Sequence, residues 1–146
     1  MHARTTPAFG HPSFVRRGAL RALPAKWRRY DMTNKQIIQK VNDAFAAGDT
    51  DTILSFVADD VRWEVLGFST AIGREEFRRE VENEGFEGRP VITIVNAIEE
   101  GDRVAVEGRV LTKPVEGEAI ELCFHNAYRL EAGKIKEMRS YLVFPK

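Results

Sequence analysis

The strongest constraint in this chain is a change of hydrophobic period at Asp59-Asp60. Before it, apolar residues recur at helical spacing: Ile37, Val41, Ala44 and Phe45, then Ile53, Leu54, Phe56 and Val57. After it, Val61, Trp63 and Val65 alternate with Arg62 and Glu64, the pattern of a strand with one buried face. A sequence with one period cannot bury its apolar face in the other structure. The spacing therefore predicts a helix from Thr33 to Ala47, ended by Gly48 in the left-handed conformation. A second helix follows, capped by Asp49 or Asp51, and Asp59-Asp60 forms the turn that feeds the first strand. Gly67 to Gly73 reads as a loop and Arg74 to Glu84 as a charged helix with Phe77 and Val81 on its apolar side. Gly85, Gly88 and Pro90 interrupt the chain.

The last third reads as four strands, "VITIVNAIEE", "RVAVEGRVLTK", "AIELCFHNAYRL" and "IKEMRSYLVF". Turns at Gly101-Asp102, at Pro114 to Gly117 and in "EAGK" join them as hairpins. Helices first and a meander afterwards predict an α+β fold: a curved antiparallel β-sheet with about three helices packed on its concave face.

The charge is uneven along the chain. Residues 1–31 carry seven basic side chains and one acid, with Pro7, Pro12 and Pro24 among them. This leaves 15 basic and 21 acidic side chains in residues 32–146. An acidic body disfavours binding of nucleic acid. The expected organisation is a basic, disordered or non-native extension over 1–31 and one domain over 32–146. The single cysteine, Cys123, allows no intrachain disulfide, and no apolar run is long enough to span a membrane, so a cytoplasmic protein is expected. The lone His125 of the body, the absence of paired Cys or His spacings and the absence of a phosphate-binding glycine loop predict neither a metal nor a cofactor.

The order helix, Gly-Asp turn, helix, Asp-Asp, strand, loop, helix, four-stranded meander has a counterpart. "AFAAGDTDTILSFVADDVRWEV", "GDRVAVEGRV" and "GKIKEMRSYL" resemble the nuclear transport factor 2-like superfamily, on its SnoaL-like side. The resemblance covers about residues 33–143. It implies a cone-shaped α+β barrel whose sheet and helices enclose an apolar pocket, with the outer sheet face often forming a homodimer. It does not imply one reaction, because this fold hosts isomerases, hydrolases, cyclases and non-catalytic binding domains.

Two chemistries of that superfamily can be laid on the residues. For a ketosteroid isomerase, the oxyanion-holding tyrosine falls on Val41, the carboxylate base on Val65 and the oxyanion-holding acid near Asn126. No proton acceptor then remains for the reaction; this isomerase is a known example of paired carboxyl roles. For a limonene-epoxide-type hydrolase, the arginine falls on Gly108 and the two acids on Val110 and Ser140. The aromatic-aromatic-Asp ending common among SnoaL-like sequences is here Tyr141-Leu142-Val143.

Alternation then selects the pocket. Trp63, Val65, Asn126, Tyr128, Met138 and Ser140 share the inward face, and Phe45 closes the pocket from the first helix. Such a lining suits a small hydrophobic molecule. Asn126 needs a partner when buried, from Tyr128, Ser140, backbone, water or ligand. His125 and Glu107 alternate outward. A slip of one residue would exchange the faces, and then His125 would be the best general base and Glu107 a candidate acid. Two readings follow: an acid/base isomerase, cyclase or hydrolase acting on a hydrophobic substrate through His125 or Glu107, or a non-catalytic binding or dimerisation domain.

Overall fold

The computed structural model describes residues 32–146. The elements run α1 (Asn34–Ala47), α2 (Thr50–Ser55), β1 (Val57–Val65), β2 (Ser69–Ile72), α3 (Arg74–Val81), β3 (Phe86–Glu100), β4 (Arg103–Pro114), β5 (Ile120–Glu131) and β6 (Lys134–Val143). Local chemistry explains the helix ends. Thr33 and Gln36 form a capping box, each side chain accepting from the other's backbone N–H. Gly48 closes α1 at φ 68°, a conformation costly for any residue with a Cβ. Asp49 then accepts from the Thr52 N–H at 3.1 Å to start α2.

The six strands form one open sheet in the order β2-β1-β6-β5-β4-β3. Every adjacent pair is antiparallel except β1 with β6, which run parallel. That one parallel pair lets the helical N-terminal part return its strand beside the end of the meander. Three further details differ from the sequence expectation. Asp59 and Asp60 lie inside β1, at an irregularity between Val57 and Arg62, not in a turn before it. Residues 69–72 pair with β1 as a four-residue edge strand, although so short a run carries little periodicity. β3 begins at Phe86 and passes through Gly88 and Pro90, with a register shift between Glu87 and Val91. As an edge strand it tolerates a residue that cannot donate to a ladder.

The core lies between the helices and the concave sheet face. Ile37, Val41, Ile53, Val61, Phe77 and Ile135 are all at most 1% exposed. Alternation in β4 and β5 is regular: Val104, Val106, Leu122, Phe124, Asn126, Tyr128 and Leu130 are buried, whereas Glu107, Arg109, Glu121 and His125 are exposed. Among the described residues no helix is long and apolar enough to cross a membrane.

Candidate functional site

The sheet register builds the floor of the site. One rung across the sheet aligns Val65, Ser140, Asn126 and Val106, and the next aligns Trp63, Met138, Tyr128 and Val104. All eight side chains point to the concave face because two residues separate the rungs. Helix α1 supplies the roof, with Asn42 and Phe45 one helical turn beyond Ile38 and Val41. Between them lies an inner chamber of about 260 Å³. Phe45, Trp63, Val65, Asn126, Tyr128, Met138 and Ser140 all border it. Asn42, Phe86, Ile92 and Leu122 border it too and were not selected from the sequence. Two of these left a signal. Asn42 is a polar residue on the apolar stripe of α1, and Leu122 extends the inward series of Phe124 and Asn126 by one step.

A few polar groups punctuate this apolar wall. The Trp63 indole Nε1–H donates to Ser140 Oγ at 2.9 Å, which leaves the serine with its own proton to give. Asn126 Nδ2 donates to the Tyr128 hydroxyl at 3.2 Å, and the Asn42 side chain is a second hydrogen-bonding neighbour of that hydroxyl. Asn42 Nδ2 is held by the Ile38 carbonyl at 3.0 Å. The other half of the Asn126 amide, Oδ1, is buried and accepts no hydrogen bond. Burial pushes the Tyr128 hydroxyl up to about 12, against the smaller opposing effect of its hydrogen bonds with Asn126 and Asn42. It is therefore a neutral donor and acceptor at physiological pH.

The two titratable residues singled out from the sequence lie elsewhere. Glu107 and His125 are paired neighbours on β4 and β5 and both are exposed. They occupy the convex face, behind the sheet from the chamber. The pairing of residues 103–112 with 120–129 runs without a slip, so the register that would have turned them inward is not adopted. His125 rests edge-on against Tyr141 with ring centroids 6.3 Å apart. Among the described residues no group of three metal-ligating side chains converges.

The aromatic wall is itself braced. Trp63 meets Phe45 edge-on at 6.0 Å and lies tilted against the fully buried Phe77 at 5.0 Å. Toward solvent the inner chamber adjoins an outer one of about 460 Å³, which shares Trp63, Val65, Phe86 and Leu142 as walls.

A model of the SnoaL-like domain matches residues 38–138, more than half of the chain. The chain belongs to the SnoaL-like family. Solved structures similar to this SnoaL-like chain share its fold. An NTF2-like protein of unknown function from Burkholderia pseudomallei is 26% identical, with a TM-score of 0.66 over 78% of this chain and 92% of that one. An epoxide hydrolase of the LEH-like type from M. tuberculosis is 17% identical, with a TM-score of 0.67 over 75% and 82% of the two chains. A putative ketosteroid isomerase from Kribbella flavida is 16% identical, with a TM-score of 0.65 over 77% and 79%. No curated protein matches the sequence.

In this SnoaL-like fold one glycine of β4, opposite the Phe124 that borders the inner chamber, is required by contact. A Cβ on Gly108 would stand 2.4 Å from the Thr93 carbonyl oxygen and 2.7 Å from Cζ of the Phe124 ring. The position onto which the resemblance set a hydrolase's arginine thus has no room for any side chain. The Phe124 ring covers that part of the strand instead.

Proposed function

We propose that the concave chamber takes the apolar, uncharged part of a small molecule and orients it with Asn126 and Ser140. The observation that carries this reading is the lining of the inner chamber. It is apolar except for neutral amides and hydroxyls, and its titratable member, Tyr128, keeps its proton. A charged group entering such a wall would lose hydration without a compensating partner. A neutral group that both donates and accepts finds two complements: the Ser140 hydroxyl, which has a proton to give, and the Asn126 amide, whose sealed Oδ1 accepts nothing and meets a ligand once the amide turns toward the chamber. The two residues are directly opposite on β5 and β6, so one head group can meet both.

The acid/base reading through His125 or Glu107 is weaker on this geometry, because both stand behind the sheet. The loss of carboxylates at Val65, Val110 and Val143, inferred from the resemblance, points the same way.

The test is a pair of probes, 2-naphthol and naphthalene, titrated against the protein and the Asn126→Leu variant. A lost hydrogen bond to a buried partner is worth about 1–3 kcal/mol, so the variant is expected to weaken 2-naphthol roughly tenfold or more and leave naphthalene unchanged. Equal effects on both probes would overturn the anchoring role. Turnover of a hydrophobic substrate that disappears in His125→Ala or Glu107→Gln would restore the acid/base reading.

The convex face supports a homodimer. It exposes Val91, Leu111, Tyr141 and Val143 beside the half-buried Cys123, bordered by the Arg109–Glu121 pair at 3.7 Å. Light scattering behind size exclusion is expected to give twice the chain mass; a monomer at high concentration contradicts it. We further propose that residues 32–146 form a SnoaL-like domain that functions without residues 1–31, in a cytoplasmic protein. A chain starting at Met32 should keep the thermal midpoint and the 2-naphthol affinity.

A further inference from the structure

The outer chamber differs chemically from the inner one. Its wall carries a carboxylate, Glu80 on α3, and among the described residues no lysine or arginine borders it. Glu80 is half-buried, makes no ion pair with a described residue, and accepts a hydrogen bond from Ser69 Oγ. A partly desolvated carboxylate held by one hydroxyl has unused acceptor capacity and an uncompensated charge.

Four aromatic side chains, Trp63, Phe68, Phe86 and Phe144, line the same chamber as this carboxylate. Three of them are open to solvent, at 66% for Phe68, 44% for Phe86 and 53% for Phe144. Phe68 from the β1–β2 turn and Phe144 from the C-terminal tail bring their rings to 6.1 Å at an angle of 41°. Their faces carry partial negative charge, the same sign as the carboxylate that shares the chamber with them. A hydrocarbon would satisfy the rings and leave Glu80 unpaired. A hydrated metal ion would satisfy Glu80 and leave the rings exposed. A cation clothed in methyl or methylene groups satisfies both, through ring faces and charge together.

We propose that the outer chamber is a subsite for an alkylammonium group, held by Glu80 and the faces of Trp63, Phe68, Phe86 and Phe144. It extends the ligand-binding reading. The preferred ligand has a neutral donor–acceptor head at Asn126 and Ser140, an apolar body along Trp63, and a basic nitrogen at the mouth.

The test compares choline with its uncharged carbon isostere, 3,3-dimethyl-1-butanol, on the full chain carrying Trp27→Phe. The chain has two tryptophans, so Trp63 is then the sole indole reporter. Choline is expected to saturate the Trp63 signal with an affinity at least about tenfold above that of the isostere. Glu80→Gln should abolish that preference while leaving 2-naphthol affinity in the inner chamber unchanged. Phe144→Leu should weaken choline more than the isostere. Equal binding of the two probes, or a choline affinity unmoved by Glu80→Gln, overturns the subsite. Failure of choline with 2-naphthol still bound overturns the subsite alone. Failure of both probes overturns it together with the ligand-binding reading.

Discussion

The concave and convex faces of β4, β5 and β6 are built from alternate residues of the same strands, yet they have opposite chemistries. Inward stand Val106, Phe124, Asn126, Tyr128, Met138 and Ser140; outward stand Glu107, Arg109, His125, Glu137, Arg139 and Tyr141. The titratable side chains with the most obvious chemistry are the ones that touch water. The face that forms a cavity keeps its polar groups neutral. A general base is therefore not found by looking for the best base in the sequence. It has to share a face with the cavity, and one residue of register decides that.

The difference between the faces can be broken experimentally. The largest effect is expected behind the cavity. Phe77→Ala removes the fully buried ring that braces Trp63 and should cost about 3–5 kcal/mol in denaturant unfolding, whereas Tyr141→Ala on the outer face should cost far less.

Alkaline titration probes the inner face through Tyr128. Its hydroxyl is raised from 10.0 to about 12 by burial. Below pH 10 both folded and unfolded chains hold the proton and the stability is complete. Between about pH 10 and 12 the unfolded chain ionises first, so stability falls as pH rises, by an amount on the order of 2–3 kcal/mol. Unfolding free energy measured across that window should show the slope, and Tyr128→Phe should lose it.

Gly108→Ala tests how closely the cavity wall is packed. The added methyl meets the Thr93 carbonyl and the Phe124 ring, and overpacking of this kind costs about 1–3 kcal/mol. The thermal midpoint should fall and the chamber should bind bulky ligands less well.

The smallest effect is expected at the outward histidine. His125→Ala should change stability by no more than about 0.5 kcal/mol and leave 2-naphthol affinity unaltered, as for an exposed position. Loss of ligand binding in that variant would contradict the assignment of faces.

Much of the fold was legible because it is written in local signals. Thr33 with Gln36, Gly48 and Asp49 mark helix ends through bonds made within a few residues. Val61, Trp63 and Val65 announce a strand by their period alone. The inward series Trp63, Asn126, Tyr128, Met138 and Ser140 follows from the same rule. Where the local signal is short or mixed the sequence misleads: residues 69–72 are too few to show a period, and Gly88 and Pro90 look like a break where an edge strand tolerates them. The parallel pairing of β1 with β6 also left no mark in the sequence, since it joins residues more than seventy positions apart.

By itself, the sequence determined the α+β order of elements, the SnoaL-like resemblance and the alternation that divides the strands into two faces. Those depend on neighbours along the chain, where covalent spacing does the work. The tertiary structure alone decided which face encloses a cavity, that Asn126 Oδ1 is left without a donor, and that Glu80 shares one chamber with Trp63, Phe68, Phe86 and Phe144. These depend on distances between residues from different elements, which only the closed register of the sheet and its helices sets.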